Sequence, residues 1–442
     1  MNILQHHTNT TNDLITAQAG LLAPLQLMQS LGLTELINHH LPAPKSNRGF
    51  APSLYVQTLI LLSHAGGTCL EDVKPLREDD ALLNMLDMKQ FPSARALGSW
   101  LHRLGNDPLA EQGVSMINQQ LLRSGLGACK AITLDIDATE IVSHKKSANW
   151  TYNNNQGYMP MVGHIAETDQ VLSYDFRAGN VPPNKDNLAF IQQCQKALPE
   201  DVRVKALRID AAGYQANIIQ YCDQQGIDYA IRAKMTKSIR QWINEREEAD
   251  WQPVLDSHGL PTKQSTCVTS HCITGYDQAF ALVIQRSPKS QQTELTLDIE
   301  ESDEEGYATN GYIYRALATN RQVKAQDTVA WYNQRADTSE NRIKELKSDF
   351  NASHLPCSDF KANALYFGIG TLAYNLFALM RLLAPELRMS RIKRIRFTVY
   401  QLAGKVVHTG RRLFLKLCRH SGELYARLMS LYGQFRPPAQ PT

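Results

Sequence analysis

The stretch "ACKAITLDIDATEIVSH", residues 128–144, decides the fold of this chain. Between residues 131 and 137 apolar residues alternate with polar ones, which predicts a β-strand with one buried face. Asp137 stands at the end of this strand, and Asp135 lies two positions earlier on the same face. The stretch also marks the change from a helical N-terminal region to a region that contains strands.

The elements after this strand predict an α/β fold. Asp210 ends the strand predicted at residues 202–210. Gly226 ends the helix predicted at residues 214–226, because glycine adopts the left-handed conformation of a helix end easily. Helices alternating with strands indicate helices packed on a sheet. The predicted elements are a hairpin in "GYMPMVGHIAETDQVLSYDFRAGN" (157–180), a helix in "NKDNLAFIQQCQKAL" (184–198), a strand in "VRVKALRID" (202–210), a helix in "YQANIIQYCDQQG" (214–226) and a strand in "IDYAIRAK" (227–234).

The charge distribution indicates a polyanionic partner. The chain of 442 residues has a formal net charge of only +3, yet residues 387–422 contain ten Lys or Arg residues and no Asp or Glu. Such a one-signed segment favours nucleic acid over a merely solvated surface. No stretch reaches the ~18 consecutive apolar residues of a membrane span. The N-terminus lacks the features of a signal peptide, and scattered cysteines fit a reducing cytosol.

The sequence divides into five predicted regions. Residues before about 130 show apolar residues at helical spacing, with Ser93 as the N-cap of a helix that runs to Gly105. The apolar segment "ALYFGIGTLAYNLFALMRLL" (364–383) predicts a long helix packed against the sheet. The regions are 1–130 (helical, DNA-binding), 131–234 (first part of the α/β core), 235–325 (β-rich insertion), 326–385 (second part of the core) and 386–442 (basic, helical).

Carboxylates at strand ends suggest a metal site. Asp137 and Asp210 both follow a predicted strand, and chemistry in open α/β sheets is placed at strand ends. The stretch "WYNQRADTSENRIKELK" (331–347) offers a third carboxylate, Glu340. Glu340 is either a capping-box partner of Asp337 or a ligand near the start of a helix. Three hard oxygen ligands of this kind suit Mg²⁺.

The order of these features resembles a known family, the DDE transposases of bacterial insertion sequences. Members of the cut-and-paste type have an RNase H-like mixed sheet with a β-strand insertion. The motifs "LDIDAT", "GYMPMVGHIA", "LRIDAAGY" and "ENRIKELK" occur in the expected order between about residues 132 and 350. The family motif around its last Glu matches Tyr332, Arg335, Glu340 and Lys347. Four residues separate Arg335 from Glu340, where the family has about three.

The resemblance implies an enzyme that cuts transposon ends at terminal inverted repeats and joins them to target DNA. Asp137, Asp210 and Glu340 would be the catalytic residues and would bind two Mg²⁺ ions, for which Mn²⁺ can substitute. Asp137 is favoured over Asp135 because the family places a Thr two residues after its Asp. A homodimer on double-stranded DNA, in the cytoplasm and nucleoid of a bacterium, is also implied. The residues expected to contact DNA are Tyr332, Arg335, Lys347, Arg391, Arg394, Arg411 and Arg412.

Two other interpretations remain open from the sequence. In the first, Asp135 and Asp137 form the opening motif of a haloacid-dehalogenase-like phosphatase, with Asp135 as nucleophile and Asp137 as acid and base. That fold requires parallel βαβ units, whereas an antiparallel hairpin is predicted after the motif. In the second, the protein is a decayed transposase that binds DNA without cutting it.

Overall fold

The computed structural model describes residues 7–44, 49–289, 306–335 and 341–438. The chain forms two compact units. The helical unit comprises Met1–Ser124 and Glu345–Thr442, and the sheet unit comprises Gly125–Lys344. The predicted region 326–385 is therefore divided between the two units, because the boundary falls after Lys344.

The N-terminal part of the helical unit is built mainly from helices. Pro52 occupies the first turn of α3, where its missing N–H is not needed. The side chain of Ser93 accepts a hydrogen bond from Ala96 N at 3.2 Å, so the predicted N-cap of α6 is present. The elements are β1 (Ile15–Thr16), α1 (Leu22–Ser30), α2 (Leu33–His40), α3 (Pro52–Ala65), α4 (Lys74–Arg77), α5 (Asp80–Met85), α6 (Ala94–Gly105) and α7 (Leu109–Leu126).

A mixed sheet forms the centre of the sheet unit. Its first elements are β2 (Ala131–Ala138), β3 (Ile141–Val142), β4 (Asn149–Trp150), β5 (Gln156–Tyr158), β6 (Met161–Ile165), β7 (Val171–Asp175), α8 (Asn187–Ala197), β8 (Arg203–Ile209), α9 (Ala216–Gln225) and β9 (Asp228–Ala233). The strand order is β7-β6-β2-β8-β9. β2, β8 and β9 are parallel, whereas β6 and β7 form an antiparallel hairpin beside β2. The prediction of an RNase H-like mixed sheet is confirmed.

The region predicted as an insertion is rich in strands and extends the same sheet. β14 (Tyr312–Thr319) pairs antiparallel with β9, and the sheet continues through β12 (Tyr276–Pro288), β11 (Pro261–Ile273) and β10 (Gln252–Leu255). Residues 290–305 of this region lie outside the described residues. The elements are α10 (Lys237–Asn244), β10 (Gln252–Leu255), β11 (Pro261–Ile273), β12 (Tyr276–Pro288), β13 (Tyr307–Thr309) and β14 (Tyr312–Thr319).

Two helices complete the sheet unit, α11 (Ala325–Arg335) and α12 (Asn341–Lys344). α11 packs on the sheet through Val329 and Tyr332. These two side chains form a buried cluster with Ala230, Val283 and Leu317 from three different strands. This packing fixes the position of the C-terminal turn of α11.

The C-terminal part of the helical unit differs from the sequence predictions at two places. Its elements are α13 (Phe360–Leu383), α14 (Ile392–Ile395), β15 (Gly404–Thr409), β16 (Arg412–Leu417) and α15 (Arg419–Gln434). The long apolar helix α13, which was predicted to pack against the sheet, packs with α3 and α6 inside the helical unit. The predicted helical region 386–442 contains a β-hairpin, β15–β16, which pairs with β1.

One helix within the described ranges is long and apolar enough to cross a membrane. It is α13, Phe360–Leu383, and 94% of its most apolar window is buried inside the protein. Asn375 Nδ2 donates to Asn118 Oδ1 at 2.6 Å within this packing. α13 is therefore the core helix of the helical unit.

Candidate active site

Asp137 and Asp210 lie side by side at one edge of the sheet. Ile136 of β2 pairs in parallel register with Ile209 of β8, and the two Asp residues come directly after this pair. Because neighbouring parallel strands end at the same edge, their side chains emerge close together. Asp210 Oδ1 accepts from Ala212 N at 3.0 Å, which caps the short helical turn after β8. The side chain of Asp137 is 21% exposed.

Arg335, at the end of α11, brings a positive charge to this edge. Its Nη2 lies 3.2 Å from Asp137 Oδ1 and donates to the carbonyl of Ile136 at 2.9 Å. Burial alone would lower the pKa of this guanidinium, but Asp137, Tyr332, Asp210 and Asp135 outweigh it and raise the pKa. Arg335 was predicted to contact DNA; the structure places it, only 7% exposed, against the acidic pair.

Tyr332 lies one helical turn before Arg335 and faces the neighbouring strand. Its hydroxyl donates to the carbonyl of Ile209 at 3.4 Å, directly before Asp210. The guanidinium of Arg232 lies 5.4 Å from the centre of its ring. Tyr332 and Arg335 thus contact the backbone of β8 and β2 respectively, one residue before each Asp.

Asp135 has a different environment from Asp137. Arg208 Nε and Nη2 donate to its two carboxylate oxygens at 2.6 and 2.7 Å, and both side chains are at most 2% exposed. Arg208 also donates to the carbonyl of Trp331 at 2.6 Å. A carboxylate bound in this way is poorly suited to act as a nucleophile, which removes the basis of the phosphatase interpretation. Arg208 lies two residues before Asp210 in the sequence, but the carboxylate that it binds is that of Asp135.

His164 is a buried residue of this region that sequence reasoning missed. It stands on β6 opposite Asp135 and is 2% exposed. Burial, together with the positive charges of Arg342 and Arg335, lowers the pKa of His164 to about 3. The imidazole is therefore neutral at pH 7. The sequence predicts the hairpin that contains His164. A shift of one residue in the pairing of that hairpin would place His164 on the opposite face of the sheet, so its burial could not be predicted.

Glu340, the predicted third carboxylate, lies outside the described residues, as does Asp337, its suggested capping partner. The residues on either side of this gap are fixed to the sheet unit. Arg335 pairs with Asp137, and Arg342 Nη2 lies 2.8 Å from Asp169 Oδ2. Among the described residues no group of three or more His, Cys, Asp or Glu side chains could hold a metal ion.

Lys347 belongs to the helical unit and is half-buried. It lies in a π-helical turn, Glu345–Asp349, rather than in regular α-helix. Regular α-helical spacing therefore does not describe the turn that carries Lys347, because a π-helical turn is wider.

The basic C-terminal segment contains both exposed and structural cations. Arg396 donates to the carbonyls of Ser63 and His64 and so serves packing within the helical unit. Lys393 pairs with Asp349 at 3.0 Å, and Lys405 pairs with Asp13 at 2.7 Å. The four residues of this segment that were predicted to contact DNA are all exposed. Arg391 precedes α14 and Arg394 lies within it, whereas Arg411 and Arg412 lie at the turn between β15 and β16.

Comparisons with known proteins give one family. The model described as "Transposase DDE domain group 1" matches residues 7–431. Among solved structures, the chain is similar to a cryo-EM structure of the piggyBac transposase synaptic complex with hairpin DNA. The identity is 12%, the match covers 86% of this chain and 79% of the other, and the TM-score is 0.45. A comparison with curated protein sequences gave no match.

Proposed function

The chain belongs to the transposase family with a group 1 DDE domain, and from this premise we propose a specific reaction for it. It cuts the ends of a bacterial insertion sequence at terminal inverted repeats and joins those ends to target DNA. The observation that carries this proposal is that Asp137 and Asp210 lie at adjacent ends of β2 and β8, with Arg335 paired to Asp137.

The acidic pair fits a divalent cation by the chemistry of its donors. Carboxylate oxygens are the ligands that Mg²⁺ prefers, and Asp137 and Asp210 supply them from two fixed strands. Glu340 is the proposed third ligand because it follows Arg335 by only five positions in the sequence. Two Mg²⁺ ions in such a site would activate a water and stabilise the leaving oxygen at a phosphodiester.

Side chains of the protein hold the two carboxylates in position. Arg335 and Tyr332 donate to the carbonyls of Ile136 and Ile209, one residue before each carboxylate, so the two carboxylates keep a fixed separation. Arg335 also reduces the repulsion between the carboxylates before the DNA phosphate arrives. Precise positioning of this kind accounts for a large part of the rate in phosphoryl transfer.

Five cations of the helical unit are the proposed DNA contacts. Lys347, Arg391, Arg394, Arg411 and Arg412 would bind phosphates and position the duplex without reading its sequence. The N-terminal helices are proposed to bind the terminal repeats, and the protein to act as a homodimer on two ends. Cytoplasmic, nucleoid-associated localisation follows from such a substrate.

Single substitutions test the proposal in a nicking assay on duplex DNA that carries an inverted repeat flanking the gene. Asp137→Asn, Asp210→Asn and Glu340→Gln should each retain DNA binding and lose Mg²⁺-dependent cleavage. Asp277→Ala, which removes an exposed carboxylate of β12, is the control and should cleave like the wild type. Binding without cleavage by the wild type would support the decayed transposase instead.

A further inference from the structure

Two π-helical turns of the helical unit are bonded to each other. The first, Glu345–Asp349, follows α12 directly in the sequence, and the second, Arg396–Tyr400, continues α14. Arg396 donates to the backbone carbonyl of Asp349, so the start of the second turn is bonded to the end of the first. Single π-helical turns are rare and often occur at functional sites. This contact joins the basic C-terminal segment to the turn that follows α12.

The first residue of the first turn, Glu345, is a carboxylate buried inside the helical unit. Only 3% of its side chain is exposed, and its Oε2 lies 3.7 Å from Nη1 of Arg381, which is also buried. Its Oε1 accepts a hydrogen bond from the backbone N of Ile392 at 2.9 Å. Because a buried charge is unfavourable without partners, the position of Glu345 depends on Arg381 and Ile392.

The hydrogen bond from Ile392 fixes the start of α14. Ile392 is the first residue of this helix, and the first N–H groups of a helix have no acceptor within the helix. An acceptor side chain just before the helix normally supplies one, but the residue there is Arg391, whose side chain has only donors. Glu345, 47 positions away in the chain, supplies the acceptor instead. The first π-helical turn therefore determines where α14 begins.

Asp349, the last residue of the same turn, provides a second attachment for the basic segment. Its Oδ1 lies 3.0 Å from Nζ of Lys393, and its backbone carbonyl accepts from Arg396. Lys393 and Arg396 thus hold the segment in place. Arg391 and Arg394 lie beside them in the sequence and are exposed. The segment therefore contains cations that fix it to the helical unit and cations that face outward.

We propose that Glu345 is a positioning residue for DNA binding. By accepting from Ile392 N, its carboxylate sets the start of α14, and Arg391 and Arg394 bind phosphates of the duplex from that fixed position. This rests on the proposed function, which assigns the two arginines to DNA. Glu345 is buried and does not touch DNA itself. A helix whose start is fixed presents its guanidinium groups in one arrangement, which lowers the entropy lost on binding.

Two double variants separate the hydrogen bond to Ile392 from the buried ion pair. Both contain Arg381→Met, so that no unpaired guanidinium remains in the core. The first adds Glu345→Gln, which keeps an acceptor for Ile392 N, and the second adds Glu345→Leu, which removes it. Fluorescence anisotropy with a terminal-repeat duplex, without divalent ions, measures binding. The first variant should retain most of the affinity. The second should lose about tenfold and reduce the salt slope by up to about 2, because two phosphate contacts weaken.

Asp359→Ala is the matched control for the loss of a helix cap. Asp359 Oδ1 accepts from Ala362 N at 2.9 Å at the start of α13, in the same unit. Its replacement should lower the Tm and leave the affinity and the salt slope unchanged. Hydrogen exchange of the wild type, read by mass spectrometry at single residues, tests the contact without any variant. The Ile392 amide should exchange as slowly as amides inside α13, and rapid exchange would overturn the proposal.

Equal affinities and salt slopes for the two Glu345 double variants would also overturn the proposal. Arg391→Gln with Arg394→Gln distinguishes this outcome from a failure of the proposed function. Wild-type DNA binding by that variant would contradict the proposed DNA contacts. Weaker binding by it, together with equal binding by the two Glu345 double variants, would contradict the role of Glu345 alone.

Discussion

Arg335 Nη2 lies 3.2 Å from Asp137 Oδ1 and simultaneously donates to the carbonyl of Ile136 at 2.9 Å. A single guanidinium therefore holds both the side chain and the backbone at the end of β2. Since Arg335 is the last described residue of α11, it also ties the helix that precedes Glu340 to Asp137, the first of the proposed catalytic carboxylates.

Replacing Arg335 should impair cleavage without abolishing DNA binding. We expect Arg335→Ala to reduce the cleavage rate about 100-fold, because small displacements of catalytic groups have effects of that order. Arg335→Lys should be intermediate, since lysine lacks the planar fork. Single-turnover cleavage measures the effect. Arg246→Ala, which removes an arginine stacked on Trp242 in the sheet unit, should cleave normally. A wild-type rate for Arg335→Ala would contradict the positioning role.

Asp135 and Asp137 should respond to substitution in opposite ways. Asp135→Ala leaves the buried guanidinium of Arg208 without its bidentate partner, and such losses destabilise proteins by about 3–5 kcal/mol. Asp137→Ala should destabilise the protein less, because that carboxylate is partly exposed and Arg335 keeps its bond to the Ile136 carbonyl, yet it should abolish cleavage. Thermal unfolding measures the difference. An Asp135→Leu, Arg208→Met double variant should recover stability; a Tm equal to that of Asp135→Ala would show that the pair is not responsible.

Protonation of His64 should destabilise the helical unit in acid. His64 Nδ1 lies 2.9 Å from the Tyr400 hydroxyl and Nε2 lies 3.1 Å from Ala373 O. Burial lowers the pKa of His64 to about 3, despite the bond to Ala373 O. Because this pKa is below the unfolded value of about 6.5, its contribution is complete above pH 6.5 and is lost as the pH falls toward 3.

Urea unfolding at several pH values measures this contribution. The free energy of unfolding should fall by up to about 1.4 kcal/mol per pH unit below pH 6 because of His64. His64→Gln should remove that part of the slope, whereas His258→Gln, at an exposed turn, should keep it. Identical slopes for the two variants would mean that His64 becomes protonated in the folded protein.

The turn of the β15–β16 hairpin should contribute to DNA affinity through charge. Arg411→Gln with Arg412→Gln should weaken binding similarly for all sequences and reduce the salt slope by about 2, because each phosphate contact releases about one counterion. Lys74→Gln with Lys89→Gln removes two other exposed positive charges of the helical unit and is the control. If both double variants weaken DNA binding equally, the affinity depends on the overall positive charge of the helical unit rather than on phosphate contacts at the hairpin.

Local patterns were sufficient for the sheet and for part of the site. Alternation placed Asp137 at the end of β2, and a second apolar strand placed Asp210 at the end of β8. The sequence could not reveal that Arg208 pairs with Asp135, because that contact depends on which residues face each other across two strands 73 residues apart. His164 was missed for the same reason.

Other features could not be predicted because their segments are either apolar on all sides or too short to show a period. α13 is apolar on all sides, so its sequence does not say which layer it joins. The sheet β3-β5-β4 consists of strands of two or three residues, which are too short to show a period, so the exposure of Trp150 could not be predicted. The π-helical turn at Lys347 likewise leaves no trace in residue spacing.

The central claim is that Asp137, Asp210 and Glu340 bind the same metal ions, and metal rescue of cysteine variants tests it most directly. Thiolate binds Mg²⁺ poorly but accepts softer ions such as Mn²⁺ or Cd²⁺. Asp137→Cys, Asp210→Cys and Glu340→Cys should each fail to cleave terminal-repeat DNA in Mg²⁺ and regain activity when Mn²⁺ or Cd²⁺ is added. Asp277→Cys should cleave in Mg²⁺. Full Mg²⁺-dependent activity in any of the three variants would contradict the claim.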